Sequence, residues 1–345
     1  MRIRVTVFLS VITMFISVAI ADDTNNTITI GEKHTVFSKV LNEEREYWVS
    51  LPEGYDPEQK YPVVYLVDGE YNFEYTAGIL RNLSGLQAKI PKMILVAIPN
   101  TNRTRDLTPT RLAKNFLNFL TTELAPHIEA QYMTQPYRMF IGHSDGGMFG
   151  LYANLEEPTF FTSLIIMDPS VWWDSQAMVK KLKKRLSYPP TNHVTLYMSA
   201  ANNPDSEGYP EGFVINPQRE YSSLLSTWSS DSFRHTLEYF KNENHFSVPL
   251  PSLINGLDFI FDNYMFDFEK AYNNPRYLVD HYAVQSEKLG HRVKPDSSLI
   301  FMLANILESE DELHRAIEAV KLGVELYPDN KDFKEYLTKL SNSKE

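Results

Sequence analysis

The sequence predicts an α/β protein: a mostly parallel, eight-stranded sheet covered by helices on both faces, followed by a small all-helical extension. Three observations carry this reading. Short apolar runs alternate with helical segments from about Val63 to Phe240; a serine in Gly142-His143-Ser144-Asp145-Gly146 directly follows one such run; and strand-like runs stop beyond Phe261. Alternation of this kind means parallel strands joined by crossover helices.

Strands are expected at His34 to Val40, Arg45 to Leu51, Val63 to Val67, Met93 to Ile98, Tyr137 to Ile141, Ser163 to Met167, Val194 to Ser199 and Thr236 to Phe240. The first two read as an antiparallel edge. Between strands, Arg111 to Leu124 places Leu112, Phe116, Phe119, Leu120 and Leu124 on one face at helical spacing. From about Phe266 charged helical periodicity takes over, and Ser297 to Asn330 fits a single tetratricopeptide (TPR)-like repeat. Leu303, Ala304 and Leu307 lie on its first helix, Ala316, Val320 and Gly323 on its second, and Lys331 to Leu340 forms a helix that caps it. One repeat cannot bury its own apolar face, so it should pack on the preceding domain or on a protein partner, a second copy included.

At the other end, basic Met1-Arg2-Ile3-Arg4, apolar Val5 to Ile20 and the small residues around Ala21 have the layout of a cleaved signal peptide. The expected division is therefore 1–21 leader, 22–265 α/β domain and 266–345 helical tail, in a periplasmic or secreted protein without a membrane span after cleavage. The absence of cysteine among 345 residues excludes disulfides, thiol chemistry and cysteine metal sites. A net charge of −11 argues against a nucleic-acid partner. Neither a metal nor a cofactor is expected.

Gly-x-Ser-x-Gly between a buried strand and a helix start is the pattern of a nucleophile elbow, which makes Ser144 the candidate nucleophile. A serine hydroxyl needs a base, and the order in this architecture is serine, acid, histidine. Of the nine histidines, His34 and His127 precede the serine, and His281, His291 and His314 lie in the tail. His193 and His235 open strands, and His143 is constrained beside the serine. His245, in the loop after the last strand, is the expected base. The acid is sought in the loop after Val194 to Ser199, where Asp205, Glu207 and Glu211 are not separable by spacing. Two backbone N–H groups must hold the oxyanion: that of Asp145, and that of Gly69 or Glu70 in the loop after the third strand.

Five ordered motifs extend this picture: Tyr61-Pro62-Val63-Val64-Tyr65-Leu66-Val67-Asp68-Gly69, Arg103-Thr104-Arg105-Asp106-Leu107-Thr108-Pro109-Thr110, Gly142-His143-Ser144, Pro169-Ser170-Val171-Trp172-Trp173-Asp174 and Glu243-Asn244-His245-Phe246-Ser247-Val248-Pro249. Through them the chain resembles the esterase family of α/β-hydrolases that includes esterase D, feruloyl esterases and siderophore esterases, most of all its exported bacterial branch. The resemblance implies an α/β-hydrolase three-layer sandwich and a serine esterase acting on small-molecule carboxylic esters. It favours Glu207 as the acid, with Asp205 as runner-up. It also places Arg103 and Arg105 at the mouth of the site, where they recognise substrate or brace the loop, and adds Tyr71, Trp172 and Trp173 to the substrate-binding set. Asp145 departs from the family's aromatic residue and sets a carboxylate beside the oxyanion. The alternative reading is thus a catalytically weak, hydrolase-like binding protein that recruits a partner through its tail.

Overall fold

The computed structural model describes residues 28–85, 89–203, 210–228 and 232–342; the leader expected at 1–21 lies outside them. The strands are β1 (Glu32–Ser38), β2 (Glu43–Ser50), β3 (Tyr61–Val67), β4 (Ile94–Ile98), β5 (Thr134–His143), β6 (Ser163–Met167), β7 (Val194–Ala201) and β8 (Phe233–Phe240). They form one sheet in the order β1-β2-β4-β3-β5-β6-β7-β8. β1 and β2 join antiparallel and every pairing from β4 to β8 is parallel, so the expected antiparallel edge is present.

Every residue of β3, β4 and β6 is buried. Such strands need apolar side chains on both faces, which is why they read as unbroken Val/Ile/Leu-rich runs rather than alternating ones. The covering helices are α1 (Gly69–Ser84), α2 (Arg103–Leu107), α3 (Ala113–Phe119), α4 (Ala125–Gln131), α5 (Asp145–Glu156), α6 (Trp173–Arg185), α7 (Ile215–Leu225) and α8 (Pro249–Ile260). A π turn over Leu120–Leu124 joins α3 to α4. The helix expected to end at Leu124 therefore runs on to Gln131. Pro126, in the first turn of α4, has no N–H to continue an α ladder, and the wider turn before it absorbs the mismatch.

The tail comprises α9 (Phe268–Asn273), α10 (Tyr277–Leu289), α11 (Ser297–Ser309), α12 (Leu313–Leu326) and α13 (Lys331–Asn342). Leu303, Ala304 and Leu307 of α11 and Ala316, Val320 and Gly323 of α12 are buried as their spacing requires. All but Gly323 share one apolar cluster with Leu253, Leu257 and Ile260 of α8 and with Tyr137 of β5, so the tail is packed on the α/β body. A Cβ on Gly323 would come within 2.3 Å of the Phe333 ring, which explains why α12 needs glycine where α13 crosses it. Among the described residues, no helix is long and apolar enough to cross a membrane.

Candidate active site

All the parallel strands end at one rim, and β5 delivers Ser144 there. The serine sits at φ 59 and ψ −119, a region that a residue with a side chain occupies only when its surroundings force it. The flanking glycines show the cause. A Cβ on Gly142 would lie 2.4 Å from the Gly146 carbonyl oxygen, and one on Gly146 would lie 2.7 Å from Val67 Cγ2 and 2.9 Å from Asp68 Oδ2. Small residues two positions either side let the chain turn sharply enough to present the hydroxyl.

His245 comes from the loop after β8. The side-chain oxygen of Asn244 accepts from the N–H groups of Phe246 at 2.9 Å and Ser247 at 3.2 Å. Asn202 N–H donates to the Glu243 carbonyl at 2.8 Å, tying the loop to the end of β7. Thus held, His245 Nε2 stands 3.0 Å from Ser144 Oγ. Ser170 Oγ also lies within reach of the same hydroxyl, at 3.3 Å.

The carboxylate on His245 Nδ1 is Asp168 Oδ2, at 2.6 Å. This corrects the expectation of an acid after β7. Asp205 and Glu207 lie outside the described residues, Glu211 is exposed, and Asp168 at the end of β6 already fills the place assigned to them. The physical reason is adjacency: β6 and β7 are parallel neighbours, so their ends share the rim. The last residue of β7 and the loop after it instead support Asp168, through Ala201 N–H at 3.0 Å and Asn203 Nδ2 at 2.9 Å, while Gln218 Nε2 adds a third donor at 2.9 Å. Burial alone would raise the Asp168 carboxyl, but the hydrogen bonds from His245, Ala201, Asn203 and Gln218 outweigh it and hold the pKa below the usual value. The sequence signal was an aspartate directly following a fully buried strand, one residue before the Pro169-Ser170 motif.

The His143 ring lies against that of His245, with centroids 4.4 Å apart and the planes tilted by 39°. Burial, foremost among the causes, pushes its pKa down to about 4, so it stands there as a neutral ring.

The oxyanion candidates sit at two helix starts. Asp145 opens α5, and Gly69 and Glu70 open α1, so their N–H groups belong to first turns, where the donors have no intrahelical acceptor. Asp68, just before α1, is left-handed with φ 54 and buried. Arg103 joins these segments. Its Nε and Nη2 donate to the two oxygens of Asp68 at 2.7 and 3.0 Å, and its Nη1 donates to Asp145 Oδ2 at 2.6 Å. Burial opposes the Arg103 charge, yet the two carboxylates raise its pKa on balance. Asn100 Nδ2 completes the network, reaching Asp68 at 2.7 Å and Glu70 at 2.8 Å.

The remaining expectations divide. Arg105 shows the bracing contacts: it pairs with Glu43 and with Asp106, each at 2.6 Å, beside the buried Arg45–Asp106 pair at 2.6 Å. Arg103 and Arg105 lie two apart on α2, and helix geometry sends such neighbours in different directions. Tyr71 is 74% exposed on the first turn of α1. Trp172 packs on Phe213 at 5.3 Å, whereas Trp173 packs against the main core.

Fold and site together define a carboxylic ester hydrolase on an α/β-hydrolase frame. Its family follows from comparison: the model described as "Putative esterase" matches residues 38–242, more than half of the chain, and the protein belongs to that family. Ferri-bacillibactin esterase BesA of Bacillus subtilis is 27% identical over 266 residues, covering 67% of this chain and 90% of the relative. A siderophore enterobactin esterase of Emericella nidulans is 25% identical over 250 residues, covering 57% of this chain and 81% of the relative. Among solved structures, an IroE-like serine hydrolase from Shewanella oneidensis superposes with a TM-score of 0.78 at 30% identity, covering 86% of this chain and 99% of the other.

Proposed function

We propose that this chain is an exported serine esterase that cleaves carboxylic esters through an acyl-enzyme on Ser144, with siderophore-type lactones as its substrate class. The carrying observation is the relay Ser144 Oγ to His245 Nε2 at 3.0 Å and His245 Nδ1 to Asp168 at 2.6 Å. His245 takes the serine proton as Oγ attacks the carbonyl, then gives it to the leaving alcohol; a water retraces the path to release the acid. Asp168 stays ionised, fixes the imidazole tautomer and stabilises the imidazolium. The N–H groups of Asp145 and of Gly69 or Glu70 hold the tetrahedral oxyanion. The substrate class comes from the relatives, one named a ferri-bacillibactin esterase and another a siderophore enterobactin esterase.

Export rests on the basic and apolar leader ending near Ala21. The tail, read as one TPR-like hairpin with a capping helix, buries its apolar face on the body, which favours a bracing role over recruitment of a second copy. The idle-pocket reading rested on an uncompensated Asp145, and the Arg103 pairing weakens that ground. The test is labelling by a fluorophosphonate, expected in the wild type and lost in Ser144→Ala, together with turnover of a catecholate trilactone against simple acyl esters. A folded wild-type enzyme that fails to label would reject the acyl-enzyme. N-terminal sequencing of protein recovered outside the cytoplasm should begin near Asp22.

A further inference from the structure

We propose that Arg103 is a positioning residue: its guanidinium neutralises Asp145 beside the oxyanion site and clamps together the two helix starts that supply the oxyanion donors. The proposal deepens the esterase reading above and rests on it.

Asp145 immediately follows the nucleophile, and its side chain is 18% exposed. Left alone, its carboxylate would set a negative charge beside the place where negative charge develops during attack, and so oppose the reaction. The counter-charge comes from 42 residues away in sequence, at 2.6 Å. The other edge of the same guanidinium grips Asp68 through two hydrogen bonds. Asp68 in turn lies against the elbow, where a Cβ at 146 would come within 2.9 Å of its Oδ2 and 2.7 Å of Val67 Cγ2. Asp68 also accepts the N–H groups of Tyr71 and Asn72 on its carbonyl, at 3.1 and 3.2 Å, and so fixes the first turn of α1. One planar, forked cation thus sets the distance between the start of α1 and the start of α5. A lysine ammonium is a single point of charge and cannot span both carboxylates in this way. With three of its N–H donors so engaged, Arg103 acts on the reaction through its neighbours.

The competing role, a cation that recognises an anionic substrate, gives different kinetics. The experiment uses the full chain, with kcat expressed per active site titrated by fluorophosphonate, on neutral p-nitrophenyl butyrate and anionic mono-p-nitrophenyl succinate. Arg103→Met should lower kcat on both esters by about a hundredfold, the scale of losing one oxyanion donor, with KM little changed. Adding Asp145→Asn to Arg103→Met should restore about tenfold of that loss, because the uncompensated charge is gone; a merely structural role would show no such rescue. Arg103→Lys, which keeps the charge without the fork, should lose less than Arg103→Met and should gain less from Asp145→Asn; it also serves if Arg103→Met does not fold. A double variant no faster than Arg103→Met, or a KM increase confined to the anionic ester with wild-type kcat on the neutral one, overturns the proposal. A wild type that labels while the double variant stays unrescued overturns this inference alone; an unlabelled wild type overturns it together with the esterase reading.

Discussion

Two arginines on one five-residue helix do opposite work. Arg103 points to the catalytic rim and bridges Asp68 to Asp145, with its side chain 34% exposed. Arg105 points to the interior side of the same loop, where Glu43 and Asp106 hold it and the fully buried Arg45 shares Asp106. In sequence the two look equivalent. The difference shows that an arginine's role is set by which carboxylates the topology brings to it. The Arg103 partners lie just before α1 and directly after Ser144, whereas the Arg105 partners belong to the β1–β2 edge and to α2 itself.

The comparison has meaning only if the rim is a working centre, and the largest effect tests that. Asp168→Asn should lower kcat by about ten-thousandfold at neutral pH, because an amide at Nδ1 supports the wrong tautomer and cannot stabilise the imidazolium. Glu207→Gln and Asp205→Asn should stay within a few-fold of wild type in the same ester assay. The reverse ranking would move the acid back to the loop after β7 and leave Asp168 as a structural carboxylate.

What the sequence made legible follows the same division. Strand positions were readable because burial on both faces leaves continuous apolar runs, and Ser144 because the elbow demands glycine at fixed offsets. His245 emerged by elimination, since chain order allows few histidines after β8. Asp168 was not legible under the rule that the acid follows the strand before the histidine. That rule fixes a rim and not a strand, and two adjacent parallel strands end at the same place. The tempering of Asp145 was invisible too, because its partner is distant in sequence and nothing local distinguishes Arg103 from Arg105. Side-chain pairing across loops is a property of the folded rim.

Smaller effects sharpen the contrast between the two arginines. Arg45→Met should cost about 3 kcal/mol of stability, because it removes the fully buried one of the two guanidiniums that pair with the buried Asp106 carboxylate. Arg105→Met, at a more exposed position, should cost about 1 kcal/mol after solvent screening. In both, kcat per titrated site should remain near wild type, as measured by urea denaturation alongside ester turnover. A fall in kcat for Arg105→Met equal to that for Arg103→Met would erase the distinction.

The smallest effect concerns His143, the group on the catalytic side that contributes a neutral ring. Its folded pKa lies near 4, against an ordinary 6.5. As pH falls from about 6.5 toward 4 the unfolded chain takes up a proton at this site and the folded one does not, so stability declines across that window; at pH 5.5 the loss is about 1 kcal/mol. Asp168 acts separately. Its lowered pKa gives stability that is present above the ordinary carboxylate range and lost only as pH falls through the lower folded value. His143→Phe keeps an aromatic ring against His245 and removes the titration. Its stability curve should therefore be flatter than wild type between pH 6.5 and about 4, while the acid limb below that is unchanged. An identical slope in the two proteins would mean that His143 already takes up its proton in the folded state, and that the ring lying against His245 is charged.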